Sequence, residues 1–191
     1  MGGGDKALLR LGDETLLTRV IRRLKPQVGA MMLNANGDPA RFAEYGLPVR
    51  GDSEPDHPGP LAGVLAGLDW AAEQGAEQII TVAADTPLFP EDLALRLIAA
   101  ARAKHAPIAL AATPDPKRGF ARHPTFGLWP VALREDLRAA LKDGMRKIVI
   151  WTDAHDAATA MFEAEPYDPF YNLNAPEDMV RAAALLGVER K

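Results

Sequence analysis

Residues 78–87 read Gln-Ile-Ile-Thr-Val-Ala-Ala-Asp-Thr-Pro, an apolar segment that ends abruptly in the carboxylate of Asp85. Its composition predicts a buried strand, and ligands of open α/β sheets bind at the carboxyl ends of such strands. A carboxylate there can hold Mg²⁺ against the phosphates of a nucleotide, because this cation prefers oxygen ligands. The alternative is that Asp85 only caps a helix predicted over residues 90–104.

Strand and helix patterns alternate through the first half of the chain, which is typical of right-handed βαβ units. The predicted strands are 28–33, 48–50 and 78–84, and the predicted helices are 16–24, 40–45, 61–74 and 90–104. We therefore expect an α/β fold with a mostly parallel mixed sheet. Polar residues follow each strand at the same sheet edge, namely Asn34, Asn36, Asp52 and Asp85.

The second half is less regular. Strands are predicted over 108–113, 125–129, 148–151 and 160–164, and helices over 134–141 and 176–186. The basic stretch 117–123 is predicted to be a loop. Because no repeat and no linker divides the chain, we expect a single domain over residues 1–191.

Composition narrows the function. With 48% hydrophobic residues, the 191-residue chain can bury a sizeable core, whereas a net charge of −4 argues against a nucleic-acid or anionic-membrane surface. The chain has no cysteine and one serine, Ser53, so cysteine and serine nucleophiles are not expected. No signal peptide or long apolar run is present, and a cytoplasmic protein with a small-molecule site is expected.

Two glycine-containing segments could approach a ligand. Met1-Gly2-Gly3-Gly4-Asp5-Lys6 combines exposed backbone N–H groups with a lysine, an arrangement that binds phosphate, although a disordered glycine-rich terminus explains it too. Gly59-Pro60-Leu61-Ala62-Gly63 begins a helix with small residues on one face. A ligand or an ordinary packing contact would account for them equally well.

Several polar residues are candidate ligand contacts. Asn34 and Asp52 could bond the donors of a guanine, or ribose hydroxyls, or be turn residues. Arg118, Arg122 and His123 form a basic cluster that could meet an anionic substrate or simply be solvated. Asn174 is explained as a helix N-cap, whereas capping does not explain Asn172. The four histidines (His57, His105, His123 and His155) lack metal-ligand spacing.

Taken in order, these motifs resemble the molybdenum cofactor guanylyltransferases over nearly the whole chain. The matching segments are Met-Gly-Gly-x-Asp-Lys at 1–6, Asn-Ala-Asn at 34–36, Asp52, Gly-Pro-Leu-Ala-Gly at 59–63, Asp-Thr-Pro at 85–87 and Asn-x-Asn-x-Pro-Glu-Asp at 172–178. The resemblance implies a three-layer Rossmann-like nucleotidyltransferase fold. It also implies transfer of GMP from Mg-GTP to the phosphate of molybdopterin or its molybdenum-loaded form, with release of pyrophosphate.

The resemblance also implies residue roles. Lys6 would contact the GTP phosphates, Asn34 and Asp52 would bind GTP, and Asp85 would bind both Mg²⁺ and GTP. Lys6 and Asp85 would be the catalytic residues. The N-terminal half would then bind the nucleotide and the C-terminal half the pterin. The candidates for the pterin side are Arg118, Arg122, His123, Asn172 and Asn174. Transient contact with proteins that synthesise molybdopterin or mature molybdoenzymes is implied as well.

One part of the family pattern does not occur here, namely an apolar strand and Leu-Ala-Gly-Gly-x-x-x-Arg directly before Met-Gly-Gly. We expect these residues to precede Met1 in a longer chain, and we expect weak GTP binding and low stability without them. Three other functions stay open from sequence: a molybdopterin cytidylyltransferase, a nucleotidyltransferase for a sugar or alditol phosphate, and a catalytically inactive protein that delivers the cofactor.

Overall fold

The computed structural model describes residues 6–54, 59–173 and 176–186. The strands are Arg10–Leu11 (β1), Glu14–Thr15 (β2), Leu33–Asn34 (β3), Val49–Arg50 (β4), Gln78–Thr81 (β5), Ala109–Asp115 (β6), Gly119–Pro130 (β7) and Ala158–Met161 (β8). The α-helices are Leu16–Leu24 (α1), Pro60–Glu73 (α2), Leu93–Lys104 (α3), Arg134–Lys142 (α4), Ile148–Ala154 (α5) and Pro176–Leu186 (α6). Within these ranges, every helix is too short or too polar to cross a bilayer.

Local sequence accounts for most of these elements. The hydroxyl of Thr15 accepts a hydrogen bond from the Thr18 amide at 3.0 Å and so caps α1, which ends just before Pro26. The predicted helix over 40–45 is confirmed as a 3₁₀ helix, Pro39–Tyr45, which ends at Gly46 with a φ of 61°. Of the predicted strand 28–33 only Leu33 lies in a strand, β3, and the predicted strand 78–84 is shortened to β5.

The basic stretch 117–123 is not the loop that the sequence predicts, because β7 begins at Gly119 and pairs antiparallel with β6. A tight turn joins the two strands. In it, Oδ1 of Asp115 accepts the backbone N–H groups of Lys117 and Arg118, each at 2.8 Å. This sharp reversal places Arg122 and His123 within the strand.

The strand predicted over 148–151 is also wrong, since these residues form the first turn of α5. Ile148, Trp151 and Thr152 are buried whereas Ile150 is 51% exposed, a spacing of three and four residues that suits a helix. Packing of this face against α2 and α4 side chains overrides the β propensity of the isoleucines.

The main sheet has the strand order β5-β7-β6-β8 and is mixed, as predicted. Strand β7 runs antiparallel to both β5 and β6, whereas β8 is parallel to β6. Side chains of α3 and α1 pack on one face of this sheet, and side chains of α2, α4 and α5 pack on the other. The chain is therefore a three-layer α/β structure, which confirms the predicted fold class.

A separate parallel pair, β3 and β4, lies across a large cavity from β5. The cavity has a volume of about 820 Å³ and is lined by residues 28–36 and 78–84 as well as by α1 and α2. Each of β3 and β5 pairs with one neighbour only, and no described strand lies between them. Both the half-buried Leu33 and the half-buried Ile80 border this cavity.

Candidate active site

Polar residues at the ends of β3 and β4 form one hydrogen-bonded network. The side-chain N–H groups of Asn34 and Asn36 donate to different carboxylate oxygens of Asp52, at 3.1 and 2.8 Å. The Asp52 backbone N–H donates to Oδ1 of Asn36 at 2.8 Å. The structure thus brings together the residues that the sequence places at these strand ends, at the rim of the cavity.

Glycines of α2 allow the helix to approach this network. A Cβ at Gly63 would lie 2.5 Å from Oδ1 of Asn34, and a Cβ at Gly67 would lie 2.8 Å from Cδ1 of Ile79. Both distances are well inside van der Waals contact. The small face of α2 is therefore explained by its contacts with β3 and β5, and the absence of a side chain at Gly63 leaves space for the Asn34 amide.

Asp85 follows β5 and is half-buried. It does not cap a helix, because α3 begins at Leu93 and its N-cap residue is Asp92, so the capping alternative is wrong. Among the described residues, no ion pair neutralises the carboxylate of Asp85. Its Oδ1 has one long contact, 3.4 Å from the Thr86 hydroxyl, so the carboxylate keeps acceptor capacity for a cation or a donor from a ligand.

The chemistry of this position fits Mg²⁺ held jointly by protein and substrate. Groups of three or more histidine, aspartate or glutamate side chains that could hold a metal are absent from the described ranges. Mg²⁺ is commonly bound by one or two carboxylates, with substrate phosphates and water completing its coordination. The single carboxylate of Asp85 suits that mode and does not suit a cage built only from protein ligands.

The segment after Asp85 is tied to the C-terminal part of the chain. The hydroxyl of Thr86 donates to Oδ1 of Asn172 at 2.5 Å, and the Leu173 N–H donates to the Asp85 carbonyl at 3.3 Å. Thr86 and Leu173 are fully buried. The structure therefore places Asn172, which capping did not explain, beside the Asp-Thr-Pro turn.

Lys6 is exposed and begins a 3₁₀ turn whose first carbonyl accepts the Leu9 N–H at 3.0 Å. Further along, Leu11 packs in one apolar cluster with Leu88 and Leu173. The N-terminal segment therefore lies against the loop that follows Asp85. Residues 1–5, with the glycines predicted to bind phosphate, lie outside the described residues.

The predicted basic cluster is divided by the strand. Arg122 forms an ion pair with Asp153 at 2.5 Å, and Arg118 is exposed at the β6–β7 turn. His123, the next residue after Arg122, points to the other face of β7, where its Nε2 lies 2.8 Å from the Thr113 hydroxyl. The cluster seen in the sequence is therefore not one surface in the fold.

His123 is largely enclosed by the protein. Its ring stacks on Phe170 with centroids 4.6 Å apart, and its side chain is 17% exposed. Burial lowers the pKa of His123 from the usual 6.5, and the carboxylate of Asp168, 3.9 Å away, opposes this only in part. A neutral imidazole is therefore favoured in the folded protein.

This lowered pKa predicts a loss of stability in acid. Below about pH 6.5 the unfolded chain binds a proton at His123 before the folded chain does, so the free energy of unfolding falls as the pH decreases. Urea unfolding at pH 7.5 and 5.5 should show a smaller loss for His123→Gln than for the unmodified chain. His105→Asn is the matched control, since His105 ends α3 with a φ of 54° that asparagine tolerates. An equal pH dependence in all three proteins would contradict this role of His123.

The remaining candidates have ordinary partners or are outside the described part of the chain. Asn174 and His57 lie outside it. His155 is 2.9 Å from the Asp136 carboxylate, and Ser53 donates to Asp69 at 2.6 Å.

Sequence reasoning did not single out Thr86, although it lies beside Asp85 in the quoted motif.

The family model and the relatives that match this chain agree on one protein family. Residues 1–158 match the family model of the MobA-like NTP transferase domain. The chain is 48% identical over 192 residues to a molybdenum cofactor guanylyltransferase of Nitrobacter hamburgensis, with 99% of this chain and 90% of that protein covered. A protein of the same name from a Bradyrhizobium species is 50% identical over 192 residues, with 99% and 88% covered.

Solved structures share the fold at low sequence identity. Molybdopterin-guanine dinucleotide biosynthesis protein A from Archaeoglobus fulgidus superposes with a TM-score of 0.72 at 17% identity, covering 97% of this chain and 92% of that one. The 2-C-methyl-D-erythritol 4-phosphate cytidylyltransferase of Thermus thermophilus superposes with a TM-score of 0.72 at 19% identity, covering 96% and 94%. These similarities support the nucleotidyltransferase fold and leave the nucleotide open.

Proposed function

This chain belongs to the MobA-like NTP transferase family and is a nucleotidyltransferase, and we propose that it transfers GMP from Mg-GTP to the phosphate of molybdopterin or its molybdenum-loaded form. The products would be pyrophosphate and a guanine dinucleotide cofactor. We propose further that residues 1–191 act as one domain, with the nucleotide bound by its N-terminal half and the pterin by its C-terminal half.

The observation that carries the proposal is the grouping of polar side chains that follow three strands around one cavity. Asn34 ends β3, Asp52 follows β4, and Asp85 follows β5. The first two are joined by hydrogen bonds, and all three lie around the cavity rim or directly after a residue that lines it. Ligands of α/β sheets bind at this edge, and these groups suit a nucleotide with a metal.

In the proposed reaction, an oxygen of the substrate phosphate attacks the α-phosphorus of GTP. A new P–O bond forms there, the bond to the β-phosphate oxygen breaks, and pyrophosphate leaves with that electron pair. A phosphate monoester has a second pKa of about 6 and is largely a dianion at neutral pH, so no strong general base is required. Catalysis then depends mostly on positioning and charge neutralisation.

The protein groups have distinct tasks in this proposal. Asp85 would hold Mg²⁺, which when bound neutralises charge on the GTP phosphates. Lys6 would offset negative charge on the departing pyrophosphate, and Asn34 and Asp52 would hold the nucleoside. These roles agree with the exposure of Lys6 and the absence of an ion pair to Asp85 among the described residues.

Asn172 is the strongest candidate on the acceptor side. Its Oδ1 accepts the Thr86 hydroxyl, which leaves its side-chain N–H groups to donate to a phosphate near Asp85. We also propose His123 and the exposed Arg118 as pterin contacts, together with Asn174. Arg122 is included as well, although its ion pair with Asp153 reduces the charge that it can offer.

Pyrophosphate release tests the function directly. The chain should release pyrophosphate with GTP and Mg²⁺ only when molybdopterin is present, and EDTA should abolish the release. Strict dependence on CTP would assign a cytidylyltransferase instead, and turnover with a sugar or alditol phosphate would assign a different acceptor. Molybdopterin binding without turnover would indicate a delivery protein.

A further inference from the structure

Asn36 holds Asp52 at two points. Its Nδ2 donates to Oδ2 of the carboxylate at 2.8 Å, while its Oδ1 accepts the Asp52 backbone N–H at 2.8 Å. Gly51 makes room for this contact, because a Cβ there would lie 3.1 Å from Oδ1 of Asn36. One amide therefore restrains both the backbone and the side chain of Asp52.

The other carboxylate oxygen, Oδ1, accepts from an amide that also donates to a second acceptor. Nδ2 of Asn34 donates to Oδ1 of Asp52 at 3.1 Å and also to the Arg50 carbonyl at 3.2 Å. A free carboxylate rotates broadly about its terminal torsion, so two fixed donors are needed to hold its plane. Asn36 donates the shorter of the two hydrogen bonds to the carboxylate, and its own amide is fixed by the Asp52 backbone N–H, so it is the main restraint on that plane.

The restrained carboxylate keeps part of its acceptor capacity. In the described part of the chain, no ion pair to Asp52 is formed. A carboxylate accepts about four hydrogen bonds, and each oxygen of Asp52 receives one from an asparagine amide. Both oxygens can therefore accept a further donor from a ligand, side by side.

We propose that Asn36 is a positioning residue for base selection, which fixes Asp52 so that its two oxygens meet the adjacent N1–H and 2-amino donors of guanine. This inference rests on the proposed function. Adenine presents an acceptor at N1 and would be repelled by the carboxylate. Hypoxanthine keeps N1–H and lacks the 2-amino group, so ITP differs from GTP by the one donor that the orientation of Asp52 must meet.

Binding of GTP and ITP to Asn36 variants tests the inference. A hydrogen bond to a charged group contributes enough to give the unmodified chain about a 10- to 100-fold preference for GTP over ITP. In Asn36→Ala this ratio should fall to about threefold or less, mainly through weaker GTP binding. Asn36→Asp should bind GTP more weakly than Asn36→Ala does, because a second carboxylate would then face Asp52 at short distance.

Asp38→Ala is the matched control. Asp38 lies in the same loop and accepts the Ala40 N–H at 2.9 Å, and within the described ranges its side chain has no hydrogen bond to Asp52. It should keep the unmodified GTP-to-ITP ratio, and urea unfolding of each variant verifies that it folds. Because the readout is a ratio, a general loss of affinity from a loosened loop would not mimic the expected result.

Two outcomes overturn the inference. If Asn36→Ala weakens GTP and ITP equally, Asn36 is only structural or Asp52 contacts the ribose. If the unmodified chain does not prefer GTP to ITP, Asp52 does not read the 2-amino group. The proposed function fails by a different result, namely strict use of CTP or a lack of pyrophosphate release. If the unmodified chain releases pyrophosphate from GTP, and Asn36→Ala keeps the unmodified ratio of GTP to ITP affinity, only this inference is refuted.

Discussion

Asp85→Asn is expected to lower the rate of GMP transfer by about a thousandfold, the largest effect of any single substitution in this site, because it removes the only carboxylate that we assign to the metal. Asparagine has the same shape and leaves the backbone contact from Leu173 in place. The loss would therefore reflect charge and metal binding, and not a displaced turn. Pyrophosphate release at saturating GTP and molybdopterin measures it.

A Mg²⁺ titration and a control variant distinguish a loss of metal binding from a loss of structure. GTP affinity should increase with Mg²⁺ in the unmodified chain and respond little in Asp85→Asn. Asp92→Asn is the control, since Asp92 carries a carboxylate in the same connection but makes no side-chain cap bond to α3. Asp85→Asn with more than a tenth of the unmodified activity and the same Mg²⁺ dependence would contradict the proposal.

A second large effect is expected from filling the cavity between β3 and β5. Among the strands that the structure describes, β3 and β5 each pair on one edge only. The cavity of about 820 Å³ is lined by apolar side chains from both helical layers, such as Val20 and Val64. A strand in this middle layer would be covered on both faces and should be apolar throughout. An N-terminal extension that supplies such a strand should therefore bind here.

The expected gain in stability is large for a single added strand. Burial of about five aliphatic side chains, less the entropy lost on ordering them, should raise the free energy of unfolding by about 3 kcal/mol. The melting temperature should rise by about 6–12 °C in a chain of this size. GTP affinity should rise as well, because the strand would fill the space between β3, which ends at Asn34, and β5, which Asp85 follows. Thermal unfolding and GTP titration measure the two effects.

The control for this experiment is an extension of equal length with serine at every second position. It should give little gain, since a polar residue in this layer would be buried without a partner. If the apolar extension leaves both the melting temperature and the GTP affinity of the chain unchanged, the cavity is not a site for a strand.

Most of the helices could be predicted from sequence because their apolar spacing and end residues are local properties. Helix α1 begins at the capping Thr15 and ends before Pro26, and α2 begins at Pro60. Helix α5 could not be predicted, because its isoleucines favour a strand and only the packing of Ile148 and Trp151 decides otherwise.

Some residues of the candidate site could likewise be predicted from the sequence, and others could not. Asn34, Asp52 and Asp85 could be found because polar residues that follow apolar strands fall at one sheet edge. The basic cluster at 118–123 was not found as one surface, because Arg118 lies in a turn and the neighbouring Arg122 and His123 lie in a strand, where their side chains point to opposite faces. Thr86 was missed because its partner, Asn172, lies 86 positions away in the chain.

Residue type and spacing were enough to identify the family, the alternation of strands and helices, and the carboxylate that follows the apolar segment. How these residues act together could be read only from the folded chain. Contacts between distant segments hold Asp52 between two asparagines, join the Asp85 turn to Asn172, and leave β3 and β5 facing a cavity. Such contacts depend on how the layers pack, and no local pattern specifies that.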